Sequence, residues 1–248
     1  MLNPSPKVKA IVVGHLNYGE ADRVVKVLSA EHGLISAMAR GARASKRNGG
    51  AIDLGNLLET SLVRSQGSLW KIHQPTLIDG RQNLRKSLYK LALMAYFSEI
   101  CSLLAQPEQP EPKFYGMLEA SLAQLGEEGA EPAASYRIAF ELKALAYAGL
   151  MPNLRHCQRC DGPAVGRLVL VPSEGGLYHT ACRNGRSGQV EVQAEWLAQA
   201  DRCLRSPMRD SLGGRMSQGP GWVFSEMIEQ HCESGLRSRP FLMSLEKS

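Results

Sequence analysis

Cys157 and Cys160 stand two residues apart, and after eighteen intervening residues His179 and Cys182 repeat that spacing. Each pair can present two side chains to one side of a tight turn, and the stretch between is long enough to fold one turn onto the other. Four nitrogen and sulfur donors so arranged suit tetrahedral Zn2+, and a complete set leaves no position open for a reacting water. The zinc would then be structural. Gly162, Gly175 and Gly176 flank the pairs and offer the positive-φ backbone such turns often need. His156 is a poorer donor because its side chain diverges from that of its neighbour Cys157. A catalytic alternative keeps Cys157 and Cys160 and completes the shell with water, making a zinc-dependent nucleic-acid processing enzyme. Cys101, Cys203 and Cys232 have no partner at ligand spacing and fall in segments of helical pattern, where a thiol packs as a small hydrophobe.

The second chemistry in the sequence is cationic. Residues 40–50 read Arg-Gly-Ala-Arg-Ala-Ser-Lys-Arg-Asn-Gly-Gly, four cations and no acid. Small residues let backbone amides approach phosphate oxygens, and Arg40, Arg43, Lys46 and Arg47 can grip them. Arg23, Lys26, Arg64 and Lys71 add charge from neighbouring strands, so that about six to ten phosphate contacts are feasible. Such contacts follow a nucleic-acid backbone and not its base sequence. Tyr18 is the best-placed ring for stacking on a base, whereas Trp70 lies in an alternating strand where a core role competes. Glu20 and Asp22 are expected to pair with Arg23 and Lys26, and Glu99 to be a satisfied charge in an apolar helix. There is no G-x-x-x-x-G-K-[ST] loop, no G-x-G-x-x-G after a strand, no H-E-x-x-H and no G-x-S-x-G. Their absence weakens the enzyme reading without excluding it, and the expectation is a binding protein with no catalytic residue.

These groups need elements to hold them. Strand-like runs at residues 7–13, 23–28, 34–39, 57–63 and 69–78 are broken by turn signals. So many short strands within about eighty residues predict a small closed barrel, because closure removes exposed sheet edges. From Asn83 the period becomes helical, with Leu93, Phe97, Ile100 and Leu104 on one stripe. The prolines of residues 106–112 break that helix, and further helices are expected at 113–125 and 133–148, the latter capped by Gly149. Residues 152–186 show little periodicity, and 190–204 and 222–236 read as helices. The expected class is α+β and multidomain. Its divisions are a nucleic-acid-binding barrel at 1–80, a helical region at 81–151, a zinc module at 152–188 and a second helical part at 189–248.

Composition agrees with that division of labour. Of the 248 residues, 44% are hydrophobic, enough for ordinary aliphatic cores. Residues 1–90 hold 14 Lys+Arg against 6 Asp+Glu, while the remainder holds 15 against 18. A polyanion is thus met by the N-terminal part. Residues 10–13, the longest early apolar run, are too short for a signal segment, and nothing approaches the ~20 apolar residues of a membrane helix, so a cytoplasmic location is expected. In a reducing compartment six cysteines point to metal and not to disulfides.

The order of short motifs is more specific than any one of them. Tyr18-Gly-Glu20-Ala-Asp22, His32-Gly33-Leu34 and Ala39-Arg40-Gly41-Ala42-Arg43 come in turn. Gly149-Leu-Met-Pro152-Asn-Leu154 then leads into Cys157-x-x-Cys160, and Gly235-Leu-Arg-Ser238-Arg-Pro-Phe241 lies near the end. In this order the chain resembles the bacterial recombination-mediator family RecO over nearly its whole length. The resemblance implies an N-terminal OB-fold, a helical middle and a zinc-binding insertion. It also implies ATP-independent annealing of complementary strands, engagement of RecR, and assistance to RecA in loading onto DNA coated by single-stranded-DNA-binding protein. The family's basic segment after the third strand maps onto residues 40–47. Its second knuckle is typically Cys-x-x-Cys, so His179 is a departure. Arg137 and Lys143, basic residues among the helices, are candidates to receive the acidic tail of single-stranded-DNA-binding protein.

Overall fold

The computed structural model describes residues 6–44, 50–65, 69–129, 132–183, 188–213, 220–232 and 235–246. It is a mixed α+β structure in two compact units. The first comprises Met1–Glu128 with Pro240–Leu245, and the second Gly129–Arg239 with Glu246–Ser248.

In the first unit β1 (Lys7–Tyr18), β2 (Asp22–Ser29), β3 (Gly33–Ala39), β4 (Leu57–Val63) and β5 (Trp70–Asp79) close into an OB-like barrel of order β1-β2-β3-β5-β4. The closing pair is parallel and short, Ala37 facing Trp70 and Met38 facing Lys71. β1 does not end at Gly14 as its alternation suggests. A register shift between Val12 and Gly14 bends it, so that its first part pairs with β4 and its whole latter part with β2. The bulge leaves Val13 unpaired, between Val12 opposite Val27 and Gly14 opposite Lys26, and re-aims the strand. Alternate residues such as Val12, Val25, Val27, Ile35, Ala37 and Leu58 fill the interior, each larger aliphatic contributing about 1.5–3 kcal/mol.

Ser87 caps α1 (Leu88–Leu104) by accepting from the Lys90 N–H, so the helix begins later than the period suggests, after a 3-10 turn at Leu84–Lys86. Its Leu93, Phe97, Ile100 and Cys101 are fully buried. Pro112 opens α2 (Pro112–Leu125). Between the two helices a strap runs along the start of β3, with the Leu34 N–H donating to Gln106 O at 3.2 Å and the Glu108 N–H to Leu34 O at 3.1 Å. Gly33 makes that approach possible. Its φ is +64°, and a Cβ would stand 2.7 Å from Gln106 O and overlap Gln109 O. Gly33→Ala is expected to cost at least about 2 kcal/mol, backbone strain plus clash. Gly41→Ala, also at φ +64° but in open space, should cost only about 1 kcal/mol. Urea unfolding of the two variants separates the terms, and equal losses would show that the strap gives way.

The second unit is built on α3 (Ala134–Tyr147), which is buried from Ser135 to Leu145. Its other elements are β6 (Leu168–Val171), β7 (Gly176–His179), α4 (Thr180–Arg183), β8 (Val190–Val192), α5 (Ala194–Arg205), α6 (Val223–Gln230) and α7 (Arg239–Glu246), the last shared with the first unit. Trp196 of α5 stacks on Phe224 of α6 at 5.5 Å and 10°. Here the expectations need correction. The aperiodic stretch contains two strands, β6 and β7, of a three-stranded sheet of order β7-β6-β8. Val190–Val192 is its edge strand and not the first turn of a helix, since pairing with Leu168–Leu170 satisfies its backbone. The last expected helix stops at Gln230, leaving Cys232 beyond it, and a separate helix follows at Arg239.

Arg137 and Lys143 are also not where an acidic tail could reach them. Arg137 is 1% exposed. Its Nη1 lies 2.7 Å from Glu141, its Nε 2.8 Å from Glu246 and its Nη2 2.7 Å from Gly221 O, while Trp222 covers its guanidinium at 3.6 Å. Lys143 donates to Leu204 O and Ser206 O at 2.6 and 2.7 Å, completing the carbonyls at the end of α5. Burial draws its ammonium below the ordinary lysine range.

Candidate metal centre and nucleic-acid interface

The hairpin β6–β7 sets the metal site. His179 is the last residue of β7 and Cys182 sits in the short α4, while the Thr180 N–H ties their junction to Arg167 O at 3.0 Å. The first knuckle docks through Gln158, whose N–H donates to Leu177 O at 2.8 Å, and closes on itself with Cys157 N–H to Gly162 O at 2.9 Å. The positive-φ residue inside that knuckle is Asp161, at +54°, and not Gly162. Gly175 does take a positive φ, +57°. Gly176 instead provides room, since a Cβ there would meet the Gln158 and Tyr178 side chains.

The ligand atoms of Cys157, Cys160, His179 and Cys182 all lie within 4.8 Å of one another. His179 Nδ1 is 3.4 Å from Cys160 Sγ and 4.0 Å from Cys182 Sγ. A tetrahedral zinc, with bonds of about 2.3 Å to sulfur and 2.0–2.1 Å to nitrogen, sets edges of roughly 3.5–3.8 Å. The donors fit. His179 Nε2 is 2.9 Å from Pro163 O, and a carbonyl can only accept, so the proton sits on Nε2 and the Nδ1 lone pair faces the sulfurs. Burial opposes ionisation of Cys157, but N–H groups of Cys160, His179 and Arg159 aimed at its sulfur outweigh it and bring the thiol down to about 6. Burial, then the sulfurs of Cys160 and Cys157, push Cys182 up to about 11. So crowded a set of sulfurs can hold a metal ion, whose charge would relieve the repulsion. His156 lies outside the cluster, bridged to Pro163.

Among the described residues, the cations of the first unit do not gather in one groove. Arg40 and Lys71, at the ends of β3 and β5, line one pocket of about 370 Å³. Lys26 reaches the other way, its Nζ 3.5 Å from Ser102 in α1, and Arg64 pairs with Glu108 of the strap at 2.9 Å. Arg23 turns inward to Asn17 and Asp53 at 3.3 and 3.4 Å. Its expected partner Asp22 instead accepts the Gly41 N–H at 2.7 Å, and Arg43 donates to Gly19 O at 2.6 Å, so these two knit the β1–β2 turn to the loop after β3. Lys46 and Arg47 lie outside the described residues. Tyr18 is 59% exposed at the tip of β1, while Trp70 packs partly buried against the barrel core. Glu108, which neutralises Arg64, and Pro163, which orients His179, are not legible in the sequence. Neither carries a local signal, since both act through contacts made only on folding.

Comparison with known proteins decides the kinship. Residues 4–81 match the family model "Recombination protein O N terminal", and residues 85–240 match "Recombination protein O C terminal". The chain belongs to the recombination protein O (RecO) family. The junction between the two RecO matches follows directly on β5. Among similar proteins, the DNA repair protein RecO of Anaeromyxobacter dehalogenans (strain 2CP-C) is 34% identical over 243 residues, covering 95% of each chain. That of Myxococcus xanthus is 31% identical over 234 residues, 94% of this chain and 95% of its own. That of Syntrophotalea carbinolica is 32% identical over 243 residues, 95% and 93%. This RecO-family chain is thus a member of a DNA repair family over nearly its full length. Among its described residues no helix is long and apolar enough to cross a membrane.

Proposed function

We propose that the chain is a DNA-binding recombination mediator, not an enzyme, whose barrel at residues 1–80 holds the backbones of single- and double-stranded DNA. It anneals complementary strands without ATP and, with RecR, assists RecA onto single strands coated by single-stranded-DNA-binding protein, in the cytoplasm. The observation that carries this reading is an OB-like barrel matched to the RecO N-terminal model, in the part of the chain with the cationic excess. Neutralising two phosphate backbones on one surface lowers the repulsion that opposes pairing. Arg40, Arg43, Lys46 and Arg47 are the proposed grip, with Arg23, Lys26, Arg64, Lys71 and Tyr18 contributing around it. Cys157, Cys160, His179 and Cys182 would hold a structural zinc. A full donor set supports scaffolding over a zinc-dependent nucleic-acid processing enzyme, because no ligand position remains for water.

Arg40 and Lys71 are exposed and face one pocket, so their removal tests the grip without disturbing the core. Arg40→Gln/Lys71→Gln is expected to weaken binding to single strands and duplex alike. It should also flatten the dependence of log affinity on log salt by roughly two contacts' worth and slow annealing by about tenfold. Fluorescence annealing and salt titration read both. Wild-type annealing at every salt concentration would place the surface elsewhere.

A further inference from the structure

The pocket between Arg40 and Lys71 has a shape that backbone gripping does not need. We propose that it receives one unpaired nucleobase turned out of a single strand, with Arg40 and Lys71 on the flanking phosphates. This rests on the DNA-binding reading above and adds a single-strand subsite to it.

The pocket is built by a fault in the sheet. Ser61 faces His73 and Glu59 faces Thr76, so two residues of β5, Gln74 and Pro75, stand against Thr60 alone. This is a bulge, and it is pinned: Thr60 is fully buried and its Oγ1 donates to His73 O at 2.8 Å. Gln74 is held at φ +47°, immediately before a proline, a conformation that costs energy and persists only where its surroundings impose it. The bulge brings His73, Gln74 and Pro75 into the lining of the cavity, which they share with Met38 and Arg40.

The lining matches a base and its phosphates. Met38, Ile52, Val63 and Ile72 give apolar walls, and His73 and Pro75 give flat faces. Gln74, also in the lining, carries an amide able to donate and to accept. Arg40 and Lys71 are exposed cations at the edge. No carboxylate lines this pocket, whereas the groove against α1 includes Glu108 and the cleft beside β8 includes Glu191. About 370 Å³ is within the range of small-ligand clefts and admits one heterocycle. A base already paired cannot enter without leaving its helix, which costs a few kcal/mol. The pocket therefore adds affinity for single strands that is apolar in origin, beside a charge term shared with duplex.

Two measurements on the full chain test this. A single-stranded oligonucleotide containing 2-aminopurine is expected to brighten on binding, because the pocket unstacks the base, while the same oligonucleotide in duplex stays dark. Met38→Trp, which fills the cavity from a partly exposed strand position, should lower the single-strand to duplex affinity ratio about five- to tenfold, with the salt dependence of single-strand binding retained. Unchanged fluorescence together with an unchanged ratio overturns the subsite. So does an equal loss on both DNA forms, which would make Met38 part of a general surface. Blockage of an acidic peptide by Met38→Trp with both DNA affinities intact overturns it in favour of a peptide site. Failure of the wild-type protein to bind either DNA form is a different result, the failure of the DNA-binding reading itself.

Discussion

Cys182→Ser is expected to bring the proposed content of one zinc per chain to well below half and to loosen residues 155–167 and 180–183 to protease. Binding of structural zinc is worth about 10–16 kcal/mol in finger peptides, and most of that free energy is folding. Here the loss should be local and still large. The knuckle around Cys157 has few apolar contacts of its own, with Cys160 exposed, whereas Leu168, Val169, Leu170 and Val171 of β6 are buried independently of the metal. The knuckles should therefore open, on the order of several kcal/mol, while the sheet and α3 persist. Acid should act in the same direction. Ligand thiols bind a metal deprotonated, so protons compete with the ion, and its release is expected only as the pH falls below about 6, the value to which folded geometry depresses the Cys157 thiol. Metal analysis with limited proteolysis checks the result. A Cys182→Ser protein that keeps a full zinc and wild-type protease resistance would rule out the four-ligand site.

Arg137→Met should destabilise the second unit by about 3–5 kcal/mol, the cost of stranding a buried charge, and lower its melting temperature by about 10 °C or more. The side chain is 1% exposed and Glu141, one turn along α3, is 0% exposed. Glu246, a residue of the same unit, takes the remaining edge of the guanidinium at 2.8 and 3.3 Å, which ties it to the first turn of α3. Removing the cation leaves Glu141 in an apolar interior with Coulomb attraction lost and desolvation still in force. The double change Arg137→Met/Glu141→Leu removes both charges and should recover at least half of the loss. Calorimetry of the single and double variants decides. A single variant within about 1 kcal/mol of wild type would mean that the pair contributes nothing net.

The barrel was legible because its signals are local. Alternation, turn residues and strand length marked all five strands, and β4 falls on the residues that its pattern indicates, Leu57–Val63. The second unit was harder to read. β6 is buried on both faces and only four residues long, so it shows no alternation, and β8 is three residues whose strand state comes from pairing with β6. A segment that short carries no period of its own. Where local preference was weak, the partner decided.

The metal donors and the cations differ in the same way. Spacing alone determined the donor set, because two residues between ligands is the geometry of one turn and needs nothing distant. Which nitrogen of His179 faces the sulfurs was decided by Pro163, and that contact exists only after β7 has paired with β6. For the cations the sequence determined their number and their bias toward the first ninety residues. Tertiary structure decided that Arg40 and Lys71 share a pocket, that Lys26 and Arg64 face α1 and Glu108, and that Arg137 is enclosed by carboxylates and Trp222. Composition is a sum over residues, whereas the direction of a side chain depends on strand parity, register and the bulge at Gln74, which only the closed barrel sets.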